Sequence, residues 1–363
     1  MPSDRLADIE LLPELGRHPR VDLGLIRSGL DPLRRLGDSL GITLYAKRDD
    51  TQPLAMGGNK TRQLEYYLGL GAEQGCDTVL ITGAVQSNFV RSTTAAARRL
   101  GWHALVQLED RVPKNDPVYA ASGNVLLSQL LGAEIHRFPE GENEAGADAN
   151  LDRLAEQCEQ RGRKPYVIHL GMDSQPIGAL GYVYAALETW RQFQDLGTMP
   201  DYVVIPSGSG LTHGGFLVGA RAIGWDVPVH GICVRRAAEL QSVRIATRAA
   251  EINAMLDNRA TLTPQDILVD DTTLAPGYGR INDAVSSAIR RAARDEALLL
   301  DPVYSGRTMA GLISLVERGL IEPGASVAFI HTGGTPAIFA YQNDLVPEGS
   351  ENGEVLPQGS VAV

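Results

Sequence analysis

The chain has 363 residues, with 33 basic and 44 acidic side chains and a formal net charge of −11. That length accommodates about two ordinary domains around a large core, and a composition 44% hydrophobic and 21% charged excludes wholesale disorder. The acidic balance argues against a basic nucleic-acid-binding face, and no stretch approaches the roughly 18 apolar residues of a membrane helix.

The first residues are polar and acidic, with no apolar signal core behind them. Cys76, Cys158 and Cys233 form no C-x-x-C pair and read as reduced thiols. The expectation is a soluble, cytoplasmic α/β enzyme without a nucleic-acid or membrane partner. From Ile42 onward, short runs rich in Val, Ile, Leu and Tyr alternate with longer amphipathic segments. Strands are predicted at 42–47, 78–82, 104–108, 134–138, 166–168, 202–206, 229–234 and 326–331. Helical patterns lie between them, among them 60–70, 88–100, 117–131, 151–161 and 283–299. Strands separated by helices imply parallel pairing through βαβ crossovers. Residues 139–150 read as a loop or frayed helix start, and 346–363 as a mobile tail.

Glycine-rich turns at 57–60, 208–210 and 333–334 fall at strand or helix junctions, the edges where parallel sheets bind ligands. In Gly57-Gly58-Asn59-Lys60-Thr61-Arg62 the lysine opens a helix, where the positive end of the helix dipole disfavours its charged form. A neutral amine there is suited to Schiff-base chemistry. The same residues also fit an Asn-capped turn with a solvated lysine. Ser87 and Asn88 cap the next predicted helix, whose free N–H groups suit a carboxylate. The segment from Pro206 to Gly215 directly follows an apolar strand, and its small residues, with the hydroxyls of Ser209 and Thr212, suit a phosphate. It has His213 where a dinucleotide fingerprint needs its third glycine, and no Walker lysine follows. Tyr278 and Tyr304 stand in glycine- and proline-rich turns, where a site tyrosine is more expected than a packed one. His331 and Thr332 end an apolar strand on the same sheet edge as the Ser/Gly loop. The seven histidines show no H-x-x-x-H or H-x-E spacing, so no metal site is expected.

Six segments, taken in order, resemble the pyridoxal-phosphate enzymes of fold type II. They are Lys47-Arg48-Asp49-Asp50, Gly57 to Arg62, Gln86-Ser87-Asn88, Gly208 to Thr212, Asp301-Pro302-Val303-Tyr304 and His331-Thr332-Gly333-Gly334. The closer match is the D-cysteine desulfhydrase and 1-aminocyclopropane-1-carboxylate deaminase family. The resemblance implies a fold like the tryptophan synthase β chain, with two open βα domains and largely parallel sheets. Residues 1–62 and 175–345 would form the larger cofactor domain, 63–174 the smaller inserted one, and the molecule would be a homodimer. Lys60 would hold pyridoxal 5′-phosphate covalently, and Asn88 would bond its 3′-oxygen. Gly208, Ser209, Gly210, Leu211 and Thr212 would hold the phosphate, and Thr332 would face the pyridine nitrogen with Ser305 nearby. Ser87 and Asn88 would receive the substrate carboxylate beside Gln86 and Phe89, with Tyr278 and Tyr304 over the substrate face.

The departures from the family pattern are specific. Phe89 stands where His or Gln is common, Leu211 replaces a frequent glycine, and Ser28-Gly29-Leu30 replaces Thr-Pro-Leu, which would reshape the entrance. Ring-opening deaminases have Glu at the position of Ser305, whereas desulfhydrase-like members have Thr. The implied reaction is α,β-elimination on a small β-substituted amino acid, D-cysteine or L-cysteate, giving pyruvate, ammonia and sulfide or sulfite. A sulfonate would want a cation, for which Arg62, Arg91, Arg280 and Arg307 are candidates. The alternatives are a 1-aminocyclopropane-1-carboxylate deaminase, a nicotinamide-dependent dehydrogenase using 208–214, and a catalytically silent cofactor-binding protein.

Overall fold

The computed structural model describes residues 10–141 and 143–346; positions 347–363 of the expected tail lie outside the described residues. Its strands are β1 (Leu30–Pro32), β2 (Thr43–Arg48), β3 (Thr78–Ala84), β4 (His103–Glu109), β5 (Glu134–Phe138), β6 (Pro165–Ile168), β7 (Tyr202–Ser207), β8 (Val229–Cys233), β9 (Leu268–Asp270) and β10 (Ser326–His331). They form a six-stranded sheet in the order β1-β2-β10-β7-β8-β9 and a four-stranded sheet in the order β5-β4-β3-β6. Every pairing is parallel except β1 on β2. The fold is therefore α/β with two largely parallel sheets. All seven residues of β3 are buried, as expected of a strand covered by helices on both faces.

The eight predicted strands form with ends shifted by two residues at most, but β1 and β9 were not anticipated. Both have three residues at a sheet edge, too short to establish a period. The helix expected over 117–131 is two helices, Pro117–Ala121 and Gly123–Leu130, broken where Gly123 takes φ +56°. A Cβ there would meet the Pro336 carbonyl oxygen at 2.6 Å, so the break admits a neighbouring backbone. The stretch expected as loop or frayed start becomes helix at Glu144, because Asn143 caps it by accepting from the Gly146 N–H (2.9 Å).

One apolar cluster joins the two sheets, with Leu64, Val79 and Leu187 in the same core as Leu211 and Ile252. The helix Lys60–Glu73 runs through it with ten residues buried. Its first turn is fixed by a buried ionic cluster. Arg62 donates to Asp49 (3.0 and 2.8 Å) and to Glu188 (3.2 and 2.7 Å), while Lys47 donates to Glu188 at 2.5 Å. Tyr182 and Ser28 each donate to Asp49 at 2.7 Å. Ser28 thus lies wholly buried in this cluster, so its departure from the family pattern alters an internal support and not the entrance. No helix among the described residues is long and apolar enough to cross a membrane.

Candidate active site

Parallel pairing brings strand C-termini together, and the turns that follow them line one pocket. It has about 1090 Å³ of empty space including its open mouth. Of the residues singled out from the sequence, Lys60, Ser87, Asn88, Phe89, Gly208, Ser209, Gly210, Thr212, Tyr278, Tyr304 and Thr332 line it. Because β2 and β10 are paired with Arg48 opposite His331, the two Gly-Gly turns that follow them lie side by side. Asn59 N–H donates to the Thr332 carbonyl at 3.0 Å, and a Cβ on Gly333 would stand 2.6 Å from the Gly58 Cα. Only glycines permit that approach, and it sets Lys60 beside Thr332.

Lys60 is partly open to the pocket, with its Nζ 4.8 Å from the centre of the Phe89 ring and 3.4 Å from Gln63 Oε1. Burial lowers its pKa from 10.5 to about 8, so a neutral amine is accessible close to neutrality. The apolar ring at position 89 therefore has a clear place: it walls the amine.

Thr212 reads chemically as an outward donor. Its Oγ1 accepts from Asn59 Nδ2 and Gln63 Nε2, both at 2.9 Å, which leaves its own proton to donate into the pocket. Gly210 with φ +95° turns the chain into the helix Leu211–Ala222, whose first N–H groups face the same space. Beneath the loop, Gln241 donates to Ser207 Oγ (2.9 Å) and to the Gly208 carbonyl (3.0 Å). Buried His213 sits 3.0 Å from Ser207 Oγ, and burial pushes its pKa down to about 4, so the residue that breaks the dinucleotide pattern is a neutral support. These donors fit an acceptor-only group such as phosphate.

Asn88 is oriented by a relay. Arg91 Nε donates to Asn124 Oδ1 (2.9 Å), and Asn124 Nδ2 donates to Asn88 Oδ1 (2.9 Å), leaving the Asn88 amide N–H₂ to donate. Ser87 caps its helix, accepting from the Val90 N–H at 3.2 Å. Tyr278 and Tyr304 meet hydroxyl to hydroxyl at 3.0 Å, their rings edge-on. Burial holds the Tyr304 phenol well above its usual pKa of 10, reinforced by Tyr278 and opposed by Arg111.

Three expected residues are not brought to the pocket. Gln86 has its amide engaged with the carbonyls of Tyr119 (2.6 Å) and Ser122 (3.0 Å) and with the Asn124 N–H (2.9 Å), tying down the loop behind Asn88. Leu211 is a core residue of its helix, 3% exposed. Ser305 is fully buried, donating to Asp301 Oδ1 (2.7 Å) and accepting from the Asp301 N–H (2.8 Å), so Thr332 alone of the two hydroxyls faces the cavity.

The arginines also fall elsewhere. Arg62 lies in the ionic cluster, Arg91 in the Asn124 relay, and Arg307 donates to the carbonyls of Thr273, Leu274, Gly277 and Arg280. Arg280 is exposed outside the pocket lining. The pocket instead presents Arg111, Arg235, Arg236 and Arg244, which sequence reasoning missed. Arg235 and Arg236 meet Glu144 (2.6 and 2.8 Å), and Arg244 donates to the carbonyls of Ser209 (2.9 Å) and Leu170 (3.1 Å). Their positions held a signal, because Arg111 lies two residues beyond β4 and Arg235 two beyond β8, at ligand-binding strand ends.

Comparison with known proteins agrees with this geometry. Residues 21–333 match the family model described as pyridoxal-phosphate dependent enzyme. A D-cysteine desulfhydrase of Salmonella schwarzengrund is 40% identical over 330 residues, covering 91% of this chain and 98% of the relative. The crystal structure of an ACC deaminase homologue superposes with a TM-score of 0.80 at 32% identity, covering 92% of this chain and 98% of the other. A fungal L-serine ammonia-lyase from Rhizomucor miehei shares the fold at a TM-score of 0.63 and 18% identity, covering 88% of this chain and 98% of that one.

Proposed function

The chain belongs to the family of pyridoxal-phosphate dependent enzymes and takes pyridoxal 5′-phosphate as cofactor, and from that premise we propose that it is a lyase catalysing α,β-elimination on a small β-substituted amino acid. The observation that carries the reading is the pairing, in one pocket, of a half-buried lysine of lowered pKa with two hydrogen-bonded tyrosines. Likeness to a D-cysteine desulfhydrase over nearly the whole chain supports the same class.

When bound, the cofactor supplies an electron sink for the pair released at the substrate's Cα. Lys60 would be its covalent anchor and, as a neutral amine, the base that takes the Cα proton. Thr212 and the N–H groups behind Gly210 would hold the phosphate, and the Asn88 amide would donate to the 3′-oxygen. Ser87 at its helix start would bind the substrate carboxylate. Tyr278 and Tyr304 would give or hold a proton at the departing group. Thr332 would offer the ring nitrogen a neutral hydroxyl and not a carboxylate, which would suit a reaction whose electrons leave at once with a good β-substituent. The inserted segment 63–174, which carries the four-stranded sheet, would be the smaller domain.

Incubation of the cofactor-loaded protein with D-cysteine, L-cysteate and 1-aminocyclopropane-1-carboxylate, with the keto acid identified by mass, tests the reading. Pyruvate from a three-carbon substrate is expected. 2-Oxobutyrate from the cyclopropane, or no keto acid from any of the three, would sink it.

A further inference from the structure

Four arginines line the pocket beside Lys60 (Arg111, Arg235, Arg236 and Arg244) against three carboxylates (Glu109, Glu144 and Asp148), in a chain whose net charge is −11. This local excess of positive charge marks a place for anions. One anion is the cofactor phosphate, and Arg244, held against the Ser209 carbonyl, stands on that side. Arg235 and Arg236 are turned toward Glu144. Arg111 is on the other side, among the tyrosines.

Its side chain is built into place. Glu109, wholly buried, takes Arg111 Nε at 2.7 Å and Nη2 at 2.8 Å in a fork, and is itself fixed by the Thr82 hydroxyl at 2.6 Å. The fork uses one edge of the guanidinium. The Nη1 protons and the second Nη2 proton have no protein partner among the described residues. That free edge presents parallel N–H donors in the spacing that two oxygens of one oxyanion accept. Its position relative to the proposed carboxylate site follows from the small sheet. Ser87 and Asn88 follow β3 and Arg111 follows β4, which are neighbouring strands with Ala84 opposite Glu109. Ser87, Asn88 and Arg111 line the same pocket, so one small substrate can meet the helix start with its carboxylate and the guanidinium with its β-substituent. The charge of Arg111 also acts on the Tyr304 phenol, which places the guanidinium within electrostatic reach of the proposed leaving-group end.

We propose that Arg111 is the receptor for an anionic oxo group on the substrate's β-carbon, and that β-sulfonate amino acids are the substrate class of this pocket. The inference rests on the elimination reading above. In the step, Lys60 takes the Cα proton and the Cα–H pair becomes the Cα–Cβ double bond. The Cβ–S bond breaks with its electrons going to sulfur, so the sulfonate leaves as sulfite. Water then hydrolyses the enamine to pyruvate and ammonium. The departing group passes from one negative charge to two, so an arginine on its oxygens binds the transition state more tightly than the substrate. Glu109 keeps the fork rigid.

The test compares two substrates on the same enzyme: each enantiomer of cysteate, and each enantiomer of 3-chloroalanine, whose β-substituent is uncharged. The parent is expected to form pyruvate and sulfite from one cysteate enantiomer. Arg111→Gln is expected to lower the ratio of kcat/KM for cysteate over 3-chloroalanine by about 30-fold or more, as removal of one partner from a desolvated charge pair does. Arg111→Lys keeps Glu109 paired but loses the fork, and is expected to lower the ratio less; it supplies the result if the glutamine variant does not fold. Elimination from 3-chloroalanine without cysteate turnover, or an equal loss on both substrates, would overturn the inference and leave the elimination reading standing. No keto acid from either substrate would overturn the elimination reading itself, and this inference with it.

Discussion

Lys60→Met is expected to lose about 10²–10⁴-fold in turnover, the usual contribution of a general base, while the protein folds at least as stably as the parent. The second half of that expectation follows from the environment of the amine. Burial lowers the folded pKa from 10.5 to about 8, so the unfolded chain binds more protons between those values and the stability of the apoprotein rises with pH across that window. Below about pH 8 the charged amine is held at its full penalty, which methionine does not carry; above pH 10.5 the difference vanishes. Methionine also keeps a stem of similar volume against Phe89. Thermal unfolding of the apoproteins at pH 7 and pH 11 measures this directly. Near-normal turnover would remove Lys60 from the chemistry. A variant that unfolds earlier than the parent at pH 7 would mean that the lysine serves structure first.

Arg62→Leu is expected to destabilise the protein by about 3–5 kcal/mol, the loss seen when one member of a buried ionic group is removed. Arg62 and Lys47 face Asp49 and Glu188, two charges of each sign with almost no exposure. Removing Arg62 leaves two buried carboxylates with Lys47 alone. The carboxylates fix the pH dependence. Despite the burial that works against it, Glu188 is held down from 4.5 to about 2 by Arg62 and Lys47, so its stabilising share is present above pH 4.5 and is lost as pH falls through about 2. In Arg62→Leu that protection weakens and acid unfolding begins at higher pH. Urea denaturation of parent and variant apoproteins at pH 7, followed by acid titration, checks both points. A change below about 1 kcal/mol would show that the fork does not hold the helix that presents Lys60.

These two residues stand two positions apart in one motif, and their legibility in the sequence differed. Lys60 is not singled out by its own turn, which equally fits an Asn-capped helix start with a solvated lysine; the order of the six family-like segments singles it out. Arg62 was weighed as a ligand for substrate, since sequence alone does not reveal that Asp49 and Glu188, 13 and 126 positions away, close around it. The strands of the two sheets were readable because buried parallel strands are continuous apolar runs. The edge strands β1 and β9 were not, being three residues each and ending in Pro or Asp. The same limit separates Ser305 from Thr332. Both follow strong motifs, but Ser305 opens a helix and its hydroxyl turns to Asp301, which local sequence does not disclose. Gln86 was drawn inward to support a helix pair whose break at Gly123 was itself unforeseen. Arg111 went unnoticed because a charged residue after a strand ordinarily reads as a solvated loop. Only the placement of β4 beside β3 turns it toward the pocket.

The central claim is that Lys60 carries the cofactor at the floor of this pocket. The chain has four lysines, Lys47, Lys60, Lys114 and Lys164, which makes the claim simple to test. Borohydride reduction of the cofactor-loaded protein fixes pyridoxal phosphate to the amine that holds it, and peptide mass mapping then locates it. The account predicts modification of Lys60 alone. Modification of Lys47, Lys114 or Lys164 in its place, or a fully loaded protein with no modified lysine, would contradict it.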